Sequence, residues 1–190
     1  MTQETPEVEP VSTPDPKASQ HLTNFWNSLS KNAKIAIGVV ALVIVIIIAS
    51  SGGSTPTPTP TPTTDTTPTT ISASDLYVAW KSEMVPVISQ TQTDYTQTQA
   101  DLTNSDVAAS TQDFATLSQD ATNLANLATS PDTTLNNDVL DLAASIHEVA
   151  SAGLSALSSN DLAGFQAALD HYGRASNKFT ADLGTANSTY

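Results

Sequence analysis

Cysteine is absent from the 190-residue chain, so no disulfide staples any part of it and stability has to come from packing alone. Basic residues are scarce: six Lys and Arg stand against 19 Asp and Glu, a net charge of −13 with a pI near 4.1. Phosphate backbones need a basic surface, which excludes a nucleic-acid role. Most of the imbalance lies past residue 70, where 14 acidic residues face only Lys81, Arg174 and Lys178, a net of −11. The motifs of chemistry are missing too. Carboxylate-bridged metal bundles use Glu-x-x-His, and the residues three before His147 and His171 are Ala144 and Ala168. Gly153-Leu154-Ser155-Ala156-Leu157 lacks the second glycine of a nucleophile elbow and falls in the middle of a helical pattern. No catalytic residue, cofactor site or metal site is expected, and the chain reads as a non-enzyme. His147 beside Glu148, and Asp170 beside His171, read as surface histidines with acidic neighbours rather than as a cation site, because adjacent helical residues point apart. Arg174, the only arginine, is expected to pair with a carboxylate of its own domain.

What is present in quantity is one apolar run, Ile35 to Ala49, with no polar or charged side chain. At 1.5 Å per residue it covers roughly 22 Å, short of the roughly 30 Å of bilayer hydrocarbon. Uncharged flanks extend it to twenty residues, Ile35 to Ser54, and Lys34 can run its stem along the helix with its ammonium at the headgroups. A single transmembrane helix is therefore predicted. Phe25 and Trp26 are placed at the interface as aromatic anchors, Lys31 and Lys34 flank the entry, and Ile35 and Ala49 bound the span. Lys17, Lys31 and Lys34 precede it and no basic residue follows before Lys81, so the positive-inside rule puts the N-terminus in the cytoplasm and the rest outside. The competing reading is a signal peptide cleaved at Ala49-Ser50-Ser51, releasing a secreted helical protein. Against it stands the acidic leader from Met1 to Lys34, far longer than a signal n-region. Ile48 to Gly53 resembles the end of a bacterial lipoprotein signal with serine where the lipidated cysteine belongs, which leaves the helix itself as the tether.

Four regions follow. Residues 1–20, with four prolines and no apolar periodicity, read as a disordered cytoplasmic tail, and 21–53 as the juxtamembrane segment and span. Residues 54–70, STPTPTPTPTTDTTPTT, read as a Pro/Thr stalk: alternating proline favours polyproline II, at about 3.1 Å per residue. Residues 71–190 carry helical periodicity, with apolar steps alternating between three and four.

Four helices are predicted there. The first is capped by Ser72 with Asp75 and presents Trp80, Met84, Val87, Thr91, Tyr95, Thr98 and Leu102, with Pro86 expected to kink or divide it. The second, capped near Asn104 or Ser105, presents Val107, Phe114, Leu117, Ala121, Leu124 and Ala128. The third begins after Ser130-Pro131-Asp132, with the proline in a first-turn role, and presents Leu135, Val139, Leu142, Ile146, Val149, Gly153 and Leu157. The fourth, capped by Asn160, presents Leu162, Phe165, Leu169, Tyr172, Ser176, Phe179 and Leu183. An internal echo, Leu102-x-x-x-Asp106-Val107-Ala108 and Leu157-x-x-x-Asp161-Leu162-Ala163, matches the two halves turn for turn, and the same register sets Met84 on Val139 and Leu124 on Phe179. The fold class is all-α: an extracytoplasmic antiparallel four-helix bundle about 40 Å long, on a stalk and a membrane anchor. Small core residues such as Thr91, Thr98, Ala121 and Gly153 imply close helix approach or, failing that, a groove for an apolar ligand. In layout the chain is similar to small stalked envelope proteins of Gram-positive bacteria. The bilayer and an envelope protein are its expected partners, with a ligand-binding bundle that takes up a cation or small apolar molecule as the alternative.

Overall fold

The computed structural model describes residues 71–159 and 161–190. The anchor residues Phe25, Trp26, Lys31, Lys34, Ile35 and Ala49, the tail 1–20 and the tract 54–70 lie outside the described residues. Among the described residues there are four helices and no strand: α1 (Ala73–Thr103), α2 (Val107–Ala125), α3 (Thr133–Ser159) and α4 (Leu162–Thr189). None of these helices is long and apolar enough to cross a membrane.

Helix α1 starts where its capping box places it. Ser72 Oγ accepts from Asp75 N at 3.1 Å and donates to Asp75 Oδ2 at 2.7 Å. The helix then runs unbroken through Pro86 for 31 residues. Proline deprives the Ser82 carbonyl of its donor, yet Ser82 and Pro86 both lie on the exposed face, and the expected division does not occur.

Both tip turns are made alike. Asp106 Oδ1 accepts from Ala109 N, and its counterpart Asp161 Oδ1 accepts from Gly164 N, each at 3.0 Å. The caps are thus Asp106 and Asp161, not Asn104, Ser105 or Asn160 as the local sequence suggested. Asn104 instead closes α1, and Ser105 takes a left-handed φ of 59° to turn the chain. The segment between the hairpins is pinned rather than loose. Trp80 Nε1 donates to Leu127 O at 2.7 Å, and Asn136 exchanges two bonds with the Ser130 backbone, at 2.7 and 2.9 Å. Asp132 Oδ1 accepts from Thr134 N at 2.8 Å and acts as the cap of α3, so Pro131 sits before the helix rather than in its first turn.

Consecutive helices pack directly on each other, antiparallel. The bundle closes where α1 meets α4 through large side chains: Tyr95 stacks on Tyr172 at 5.3 Å, and Tyr77 on Tyr190 at 4.8 Å. At the base, Tyr77 OH donates to Asn187 Oδ1 at 2.9 Å and Ser74 Oγ to Tyr190 O at 2.7 Å, joining the first turn to the last. The core is the expected face with a few substitutions of neighbour for neighbour. Tyr77 and Ile88 are buried where Val87 is only partly so, Ser110 replaces Val107, and Ala156 replaces Leu157; Leu162 is likewise only partly covered. Helix α2 stops at Ala125, short of Ala128.

Candidate functional site

Polar chemistry gathers along two helix seams, each built by spacing. On α1, Asp94 and Asp101 lie seven residues apart, and on α2 so do Asp113 and Asp120. Seven residues is close to two turns, so each pair shares a helix face. Antiparallel packing sets Asp94 against Asp120 and Asp101 against Asp113, close enough for carboxyl-to-carboxyl hydrogen bonds. Desolvation by burial first, and the facing carboxylates second, push Asp113 and Asp120 up to about 6. Gln90 Nε2 donates to both oxygens of Asp94 and Gln97 Nε2 to Asp101, each from four residues back.

The second seam joins α3 and α4. Asp138 is buried, and its Oδ1 accepts from Lys178 Nζ, which also reaches Asp182 Oδ2 at 3.0 Å. Burial raises Asp138 in spite of the ammonium, while Lys178 holds Asp182 below the usual carboxylate range. Nearer the tip, His171 is gripped on both ring nitrogens, by Glu148 at 2.7 Å and Asp141 at 3.4 Å. Glu148 is the chief cause of its raised pKa. His147 points the other way and meets Ser118 of α2 at 2.9 Å, an exposed Ser–His contact, and it makes no ion pair among the described residues. Among the described residues no group of three or more His, Asp or Glu is arranged to hold a metal ion.

Beside His171 the α3–α4 face opens into a trough of about 690 Å³, lined among others by Glu148, Ser151, Ala152, Gly164, His171 and Arg174. Arg174 is exposed and makes no ion pair among the described residues, contrary to the expected internal pair. Inside the bundle the small core residues produce close packing. Gly153 receives the Phe114 ring so tightly that an added Cβ would lie 2.3 Å from it, and two interior voids measure only about 10 and 20 Å³. Each of those voids has room for about one water.

Sequence alone singles out His147, His171 and Arg174; the four paired aspartates and the Asp138–Lys178–Asp182 bridge emerge only from the packing. Seven-residue spacing of Asp in both α1 and α2 was the available signal. Its meaning depends on which helices become neighbours. No protein-family model matches the chain, and no curated protein or solved structure matches it.

Proposed function

We propose that the chain is a non-enzymatic, single-pass membrane protein that presents its four-helix head outside the cell, on a Pro/Thr spacer, for contact with another envelope protein. The observation that carries this reading is the order along the chain: twenty uncharged residues, Ile35 to Ser54, then a proline-alternating tract, then a domain of net −11. An apolar run of that length is stable in a bilayer, and the Lys-rich side before it favours the cytoplasm. Support for an interaction role comes from the relief of the head. Two interior voids among the described residues measure only about 10 and 20 Å³, whereas the trough beside Arg174 opens about 690 Å³ on the face of α3 and α4.

Alkaline carbonate washing of a cell envelope fraction, combined with protease treatment of intact cells, tests the reading. The full-length chain should remain in the pellet, and external protease should remove the head. A mature chain that begins near Gly52 and is recovered from the medium would sink the tether. In-cell crosslinking from cysteines placed at Ser151 and Ala167, on the trough, then tests the partner. A crosslinked protein product from these positions, missing from a cysteine at Gln119, is the expected result.

A further inference from the structure

The two hairpins share a register, yet they fill four equivalent positions in opposite ways. In the register that lays Leu102 on Leu157, Asp94, Asp101, Asp113 and Asp120 correspond to Val149, Ala156, Ala168 and Ala175. The second set is buried apolar packing. The first places one carboxyl group against another, twice, on the α1–α2 seam. A carboxylate has no hydrogen to give, so such a bond exists only when one member of the pair is protonated.

The surroundings show which member that is. On α1, Gln90 already donates to both oxygens of Asp94 and Gln97 to Asp101 Oδ2, so these oxygens are supplied with hydrogens from their own helix. On α2, Asp120 is only 6% exposed and its Oδ2 has no hydrogen-bond partner; Asp113 Oδ2 is likewise buried and unpartnered. Leaving a buried carboxylate oxygen in that state is costly, and a proton on it removes the cost. No base competes for the role. Asp113 is faced by Asp101, Asp94 and Asp106, and Asp120 by Asp94. From α3, His147 is turned to Ser118, while on α4 Lys178 is committed to Asp138 and Asp182 and Arg174 lies at the trough.

We propose that the α1–α2 seam is a proton-operated clasp, in which Asp94 with Asp120 and Asp101 with Asp113 each hold one solvent-derived proton between them. Protonation draws α1 onto α2, and its loss leaves two pairs of like charges in a partly dry seam. The consequence for stability has a definite sign. Asp113 and Asp120 sit near 6 when folded and near 3.8 when unfolded. The folded state therefore binds more protons across that window, and stability falls as pH rises through about 6. This is the reverse of ordinary acid denaturation.

The test uses the full chain in a mild non-ionic detergent, followed by thermal melting between pH 4.5 and 7.5. Tm should fall by about 5 °C or more over that range. In Asp113→Asn/Asp120→Asn the fall should shrink by more than half, while His171→Gln, which removes the overlapping histidine titration, should leave most of it. Grafting the second hairpin's residues, Asp94→Val, Asp101→Ala, Asp113→Ala and Asp120→Ala, should raise Tm at pH 7.5. An undiminished fall in the Asn pair overturns the clasp. Carbon-detected titration of the aspartate carboxyls in the unmodified chain does not depend on any variant folding: two midpoints near 6 are expected, and all midpoints below about 4.5 overturn the proposal. A calcium-induced rise in Tm at pH 7.5 that vanishes in the Asn pair would overturn it in favour of a metal bridge.

Discussion

Set side by side, the hairpins α1–α2 and α3–α4 have the same turn and the same core register, and they are held together differently. In the second, Val149, Ala156, Ala168 and Ala175 are buried as apolar packing on the register that carries the four aspartates in the first. Its charged contacts, Asp138–Lys178–Asp182 and Asp141–His171–Glu148, each bring a base between two acids. The first hairpin brings acids together with no base. Helix pairing therefore does not depend on what lines the seam, because the large buried residues of both hairpins, Met84 and Val139 or Leu124 and Phe179, fix the register in either case. The seam is left free to set how firmly the pairing holds and under which conditions.

The largest test of that comparison is steric. Gly153 and its counterpart Thr98 occupy the same register, but only Gly153 takes the face of Phe114. Gly153→Ala should lower stability by about 1–3 kcal/mol in denaturant melts, outweighing the ~1 kcal/mol that alanine gains in a helix. Combining it with Phe114→Leu should make the alanine neutral or favourable relative to Phe114→Leu alone. Thr98→Ala should be milder than Gly153→Ala; equal losses would mean that the hairpins interlock symmetrically after all.

Smaller and equal effects are expected at the two turns. Asp106→Ala and Asp161→Ala each remove an N-cap acceptor and should each cost about 1 kcal/mol. A difference between them of more than roughly 1 kcal/mol would break the equivalence of the turns.

The smallest effect concerns His171, held by Glu148 and Asp141 on a partly exposed face. Its folded pKa is raised, so its contribution is complete below the ordinary histidine range and is lost as pH rises through the folded value. His171→Gln should therefore lower Tm at pH 5.5, by an amount equivalent to no more than about 1 kcal/mol, and should have almost no effect at pH 8.5. Equal losses at both pH values would assign the residue to packing instead.

Much of the head was legible from periodicity. The three-four alternation located all four helices, and the repeated Leu-x-x-x-Asp located both turns, although the aspartate itself, and not the residue before it, turned out to be the cap. Periodicity does not single out Tyr77, although it lies three residues before Trp80 on the same face, because an amphipathic ring near a helix start reads equally well as surface. Its burial follows from Tyr190 and Asn187, more than a hundred residues away. The seam aspartates were illegible for a related reason. An acid every seven residues on a polar helix face looks like solvation until a second helix lays two more acids against it.

The order of residues by itself determined the helices and which face of each is apolar, since these follow from contacts within about four residues along the chain. It also set the acidic charge and left the head without disulfides. Only the tertiary structure decided that Asp94 meets Asp120, that His171 and Lys178 each join two acids, and that Arg174 is left over. Coulomb and desolvation energies depend on distances between segments far apart in sequence, and those distances exist only once the helices have packed.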